Sequence, residues 1–241
     1  LAVTGISADQ RALAQVGRGR ALLDLGRFAD AAASVAAVPT SFAYTTSHSA
    51  AAQPNGVYAI IVNSRYITVA DREGMNGLDF RSAADPRVPT ALVGKGVDGV
   101  TDVYTFTRYA SLASPIVLAS GVEARLIEAE ASLRAGDSTA ALATLNALRA
   151  GTPGLGPLAM QPTADARVGQ LFRERAFWLF ATGHRQGDLR RLVRQYGRPV
   201  DSVFPTGPYK SGQSYGAEVT FAPDVSQLVN PNYHGCASRA P

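Results

Sequence analysis

The sequence predicts a mainly α-helical protein, and three observations carry that expectation. Two Ala-rich segments repeat one apolar pattern around a glycine. A third segment keeps an apolar face at helical spacing, and the stretch between the first two loses helical periodicity and turns rich in Ser, Thr, Gly and Tyr. With 241 residues, 46% hydrophobic and 17% charged, the chain has ample core for a globular body, read here as one domain over 1–241.

The repeat comes first. ALLDLGRFADAAASVAAV (Ala21 to Val38) aligns with ASLRAGDSTAALATLNAL (Ala131 to Leu148). Gly26 falls on Gly136, Ala31 on Ala141, Val35 on Leu145 and Val38 on Leu148. Each copy reads as a helix, a turn at Gly and a second helix with small residues where two backbones meet, while Arg11 to Leu23 and Val122 to Leu133 supply the first helices. This is the helical hairpin of the tetratricopeptide kind, but a long insertion parts the copies and no tandem array follows. The insertion, about 39–119, carries strand-like runs at VYAIIVNSRYITVA (Val57 to Ala70), with a turn near Asn63-Ser64, and at VTDVYTFTRYA (Val100 to Ala110). A small β-hairpin in an irregular layer is expected there.

The helical pairs are thus placed at about 8–38, 120–150 and 164–196. In the last, Val168, Leu171, Phe172, Ala176, Leu179, Phe180 and Gly183 form one stripe, Gly183 breaks or bends the helix, and Asp188 opens a second one. A loop-rich tail, 197–241, holds Pro199, Pro205, Pro208, Pro223 and Pro231.

Several motifs suggest chemistry and fail on context. GKGVDG (Gly94 to Gly99) fits a dinucleotide fingerprint, but a β-branched, aromatic run follows it where a helix is needed, so it reads as a hairpin loop. GQSYG (Gly212 to Gly216), with Asp224 and His234 behind it, has the hydrolase order without the strand–helix units that order requires. His234 and Cys236 lack further metal ligands, and His48 and His184 stand alone. Glu123, Glu128 and Glu130 share a helix with Arg125 and Arg134, which suggests ion pairs. Trp178 is expected in the core. No catalysis, cofactor or metal is expected, and a net charge of +4, scattered among 23 Lys and Arg, does not suggest nucleic acid. The chain opens at Leu1 without an export signal, so it is read as a mature or truncated piece whose anchor, if any, lies elsewhere.

The stretch RERAFWLFATGHRQGDLRRL, with Glu174-Arg175 ahead of GHRQGDLRRL, resembles the signature of the SusD/RagB family. AADPRVPT (Ala83 to Thr90), the R-L-x-E-A-E run before Gly136-Asp137 and FAPDVSQLVNPN resemble other family landmarks in the same order, from about Gly17 to Asn232. The chain departs from the pattern at Trp178 and Thr182, where Glu is usual, and at Gln186 and Gly187, where aromatics are usual. It is also shorter than such proteins and lacks their N-terminal part. The resemblance implies a SusD-like fold, an outward-facing place at the outer membrane, a glycan or other oligomeric nutrient as ligand and a TonB-dependent transporter as partner. Contact with a membrane would come only through an anchor not present in this chain.

The leading expectation is therefore a non-catalytic nutrient-binding protein. Its pool of ligand-binding residues is Tyr44, Tyr58, Tyr66, Tyr104 and Tyr109 as stacking platforms, with Asn63, Arg65 and Arg72 as polar neighbours. Arg175, Arg185 and Asp188 are expected to form a structural clasp, because Arg175 falls on the apolar stripe and needs a carboxylate such as Asp188, Glu128 or Glu130. The alternative is a helical-repeat module that binds a protein or self-assembles in an outer-membrane or extracellular complex.

Overall fold

The computed structural model describes residues 5–208, 212–215, 219, 226 and 229–232. The chain divides into two compact units: Leu1–Ala70 with Phe80–His184, and Asp71–Asp79 with Arg185–Pro241. Among the described residues no helix is long and apolar enough to cross a membrane.

The first unit begins with α1 (Ala8–Asp24) and α2 (Phe28–Val35). Ser7 caps α1, accepting from the Gln10 amide, while the Gln10 side chain returns to the Ser7 N–H at 2.9 Å. Beyond α2 come β1 (Ala43–Thr46), the helical turn α3 (Gly56–Tyr58) running into a π-helical segment (Ala59–Asn63), β2 (Thr90–Lys95), β3 (Asp102–Phe106) and β4 (Ile116–Ser120). The unit continues through α4 (Gly121–Arg134), α5 (Ser138–Ala150) and α6 (Ala164–Trp178). It is mainly helical, as the periodicity predicts, although α3 and the π-helical segment lie in the insertion.

The two aligned segments fold alike, down to their turns. After α1 the Gly26 N–H reaches Leu23 O (2.9 Å) and the Arg27 N–H reaches Leu22 O (2.8 Å). After α4 the Gly136 N–H reaches Leu133 O (3.1 Å) and the Asp137 N–H reaches Ser132 O (2.9 Å). Both glycines sit at positive φ, +73° and +89°, where a side chain is strained, so each helix ends in the same glycine-closed motif. The aligned pairs Ala31/Ala141, Val35/Leu145 and Val38/Leu148 are all buried. Helices α1, α2 and α4 share one core around Val16, Leu23, Ala31, Val35, Ala124 and Ile127, while α5 and α6 pack on α4.

The insertion is closed at its neck by a pairing that periodicity does not reveal. β1 and β4 run antiparallel, Ala43 opposite Ser120 and Thr46 opposite Ile116. β2 and β3 form the expected small hairpin, and GKGVDG is its loop: Asp98 Oδ1 accepts from the Val100 and Thr101 amides, and a strand follows. The first strand-like run needs correction. Residues 56–63 are helical, because Asn55, wholly buried, caps Tyr58 N with Oδ1 (3.0 Å) and donates Nδ2 to Ser114 O (2.9 Å). A buried N-cap outweighs the β preference of Val57, Ile60, Ile61 and Val62. The chain reverses at Ser64 and at Arg65 (φ 55°), and only then lies extended beside β3, with the Val69 N–H on Tyr104 O at 2.9 Å.

In the second unit, α7 (Arg185–Arg194) and α8 (Val200–Val203) are joined to the segment 71–79 by Asn76. Its Nδ2 donates to Asp201 O (2.9 Å) and Phe204 O (2.7 Å), and Oδ1 accepts from Thr206 N (3.1 Å). Asp224, His234 and Cys236 lie outside the described residues.

Candidate functional site

Within the first unit a cleft of about 420 Å³ opens between the insertion and the helices, a volume suited to a small ligand. One wall runs through Thr40, Ser41, Phe42 and Ala43 and along β4 into Val122 and Glu123. Gly121 makes that wall possible. Its N–H bonds to Phe42 O at 2.8 Å, and a Cβ there would collide with the carbonyls of Pro39 and Thr40. The opposite wall is aromatic: Phe106 and Tyr109 from the end of β3, and Trp178 and Phe180 from the end of α6. Phe106 packs edge-on to Tyr109 at 5.3 Å and to Phe180 at 5.1 Å, so these rings hold one another in place. Burial raises the Tyr109 phenol above its ordinary range, and its hydroxyl donates to Ala181 O at 3.2 Å.

Two buried carboxylates organise the charge around the cleft. Glu123 sits in the first turn of α4, which Ser120 caps, close to the positive end of the helix. Arg20 reaches it with Nε on Oε1 (2.8 Å) and a terminal nitrogen on Oε2 (2.8 Å), and His184 Nε2 lies 2.9 Å from Oε1. Burial alone would push this carboxyl upward, but the hydrogen bonds from His184 and Arg20 hold it below its ordinary range. The bond to Glu123 in turn raises the Arg20 guanidinium.

Glu174, on α6, accepts Arg87 Nη1 on Oε2 (2.6 Å), Arg149 Nη1 on Oε1 (2.7 Å) and the Trp178 indole N–H on Oε2 (3.2 Å). Arg87 also forks onto Asp85, Nε to Oδ1 at 2.9 Å and Nη2 to Oδ2 at 2.7 Å. Asp85 is thereby held low: burial would raise it, and the Arg87 contacts outweigh burial. The Arg87 guanidinium lies 5.0 Å from the Trp178 ring centre, so the knot also fixes the indole on the cleft wall.

Thr182, His184 and Glu123 form a hydrogen-bonded string: the Thr182 hydroxyl donates to Leu179 O at 2.6 Å and lies 2.8 Å from His184 Nδ1, and His184 Nε2 lies 2.9 Å from Glu123 Oε1. The string ties the turn after α6 to the start of α4.

Of the residues expected to bind ligand, Tyr109 lines this cleft. Tyr44 and Tyr58 are half-buried, Tyr104 lies beneath the Arg81 guanidinium at 4.1 Å, and Tyr66, Asn63, Arg65 and Arg72 are exposed. None of these seven is among the cleft's lining residues. Trp178, expected in the core, is half-buried on the cleft wall. Arg175 is buried, with Glu130 Oε2 at 3.8 Å. In the second unit Asp188, also buried, accepts from Arg191 at 2.8 Å. Burial lowers the Arg185 guanidinium, while the charges of Asp188 and Glu73 act to raise it.

Sequence reasoning quoted Asp85-Pro86-Arg87 and Glu174-Arg175 without giving Arg87 or Glu174 a role. Their signal was compositional, a charged pair inside an otherwise apolar setting. His184 carried no such signal.

Comparison with known proteins agrees with the helical half of this description. Residues 123–234 match the family model described as SusD family. No curated protein and no solved structure matches the chain.

Proposed function

We propose, from the match of residues 123–234 to the SusD family model, that the chain binds an oligomeric nutrient, above all a carbohydrate, for delivery to a TonB-dependent transporter of the outer membrane. Its place would be the outward face of that membrane. One observation supports the carbohydrate reading most: the cleft is lined by Tyr109, Phe106, Phe180 and Trp178 together with the hydroxyl-bearing residues Thr40, Ser41 and Ser120. Sugar rings present apolar faces that stack on aromatic rings and edges of hydroxyls that need polar partners. The protein's role in this reading is recognition without turnover, because both buried carboxylates are engaged in ion pairs and the Thr182 hydroxyl donates to Leu179 O at 2.6 Å.

The test is isothermal titration against a panel of oligosaccharides, repeated with Tyr109→Ala and Trp178→Ala. Saturable heat that both substitutions diminish, with product analysis finding the glycan intact, supports the reading. Absence of heat across the panel contradicts carbohydrate binding, and cleavage of the glycan contradicts a purely binding role.

A further inference from the structure

The charges around the cleft do not cancel, and the surplus sits in one place. Arg20 and His184 engage Glu123, and Arg87 and Arg149 engage Glu174, with Asp85 closing on Arg87. Those groups are mutually satisfied. Arg108, between Phe106 and Tyr109 in the chain, also lines the cleft, but it is exposed and has no ion pair or hydrogen bond among the described residues. Counting the cleft's lining charges with their partners, four arginines (Arg20, Arg87, Arg108, Arg149) face three carboxylates (Glu123, Glu174, Asp85).

We infer that the cleft selects an oligosaccharide carrying a carboxylate, a uronic acid, and that Arg108 grips that carboxylate at the cleft's mouth. The inference rests on the carbohydrate reading above and adds the ligand's charge to it. A guanidinium offers two parallel N–H donors matched to a carboxylate's two oxygens, and an ammonium does not. Phe106 and Tyr109, which flank Arg108 in the chain, line the cleft beside it. The ligand's anion would meet little repulsion from Glu123, whose oxygens already accept two hydrogen bonds from the Arg20 guanidinium and lie 2.9 Å from His184 Nε2. A short acidic peptide offers the same carboxylate without a sugar ring, and the aromatic walls favour the sugar.

The experiment titrates the folded chain with trigalacturonate, with its methyl ester, with a neutral trisaccharide and with a triglutamate peptide, reading heat and Trp178 fluorescence. The chain has one tryptophan, so the emission reports on this cleft alone. The free acid should bind at least about tenfold more tightly than its ester, as expected of a charge-assisted contact. Arg108→Gln should abolish that preference without lowering the melting temperature, and Arg108→Lys should restore part of it. Added salt should weaken the acid and leave the ester unchanged.

Equal affinity for acid and ester, or a preference that survives Arg108→Gln, overturns the inference. If the neutral trisaccharide binds in that case, the carbohydrate reading still stands. Tighter binding of the peptide than of any saccharide overturns both.

Discussion

Glu123 and Glu174 are both buried, both held by two basic side chains and both close to the same cleft, yet they differ in what surrounds them. Glu174 is sealed: the side chains of Arg87, Arg149 and Glu174 are 2%, 13% and 3% exposed. Glu123 has one partner at the surface, since the Arg20 side chain is 37% exposed, and its other partner, His184, faces the cleft. The first arrangement fixes the indole and the D-P-R loop, and the second ties α1 to the start of α4. A sealed charge cluster costs much when broken because its survivors cannot reach water, whereas a half-open one relaxes.

That difference sets the order of the expected effects. Glu174→Ala leaves Arg87 and Arg149 buried without their shared acceptor and should cost about 3–5 kcal/mol, read as a large fall in the urea midpoint. Glu123→Ala should cost less, about 2 kcal/mol, because Arg20 can rehydrate. A larger loss at Glu123 than at Glu174 would break the distinction between sealed and half-open clusters. In the second unit Asp188→Ala removes the hydrogen bond from buried Arg191 and should cost about 1.5–3 kcal/mol, visible as a lower melting temperature. An unchanged melt there would contradict a structural role for Asp188.

The acid limb of stability sharpens the comparison further. Glu123 and Asp85 titrate below their ordinary ranges in the folded protein. Each therefore adds stability that is fully present above the unfolded value, about 4, and is lost as pH falls through the lowered folded value. Unfolding free energy measured from pH 6 downward should fall, and Glu123→Gln should flatten that fall. An identical slope in the variant would mean the carboxylate does not carry it. Gly121→Ala should also lower the melting temperature clearly, because its Cβ would press on the backbone carbonyls of Pro39 and Thr40, which cannot yield as a flexible side chain can; an unchanged melt would contradict that close approach.

Much of the scaffold was legible because helical hairpins write their structure locally. Gly26 and Gly136 mark identical turns, and the aligned Ala31/Ala141 and Val35/Leu145 positions are buried in both copies. The GKGVDG loop was legible for the same reason, a glycine turn between β-branched runs. The stretch Val57 to Asn63 misled because a single buried residue, Asn55, decides its conformation through a partner at Ser114 far along the chain. The cleft was the least legible. Its walls come from Thr40, Arg87, Tyr109 and Trp178, brought together by the β1–β4 pairing, and composition pointed to the tyrosines of the whole layer instead. Trp178 was misplaced because helical spacing puts it near the apolar stripe, while α6 ends at that residue and leaves the indole at a rim.

The central claim is that the aromatic cleft of the first unit is the ligand site. Titrating an oligosaccharide that gives saturable heat while recording Trp178 emission tests it directly, with Tyr109→Ala as the control variant. The account predicts a saturable fluorescence change with the same midpoint as the heat, lost together with it in the variant. Saturable heat with an unchanged emission, persisting in Tyr109→Ala, would place the ligand elsewhere and contradict the account.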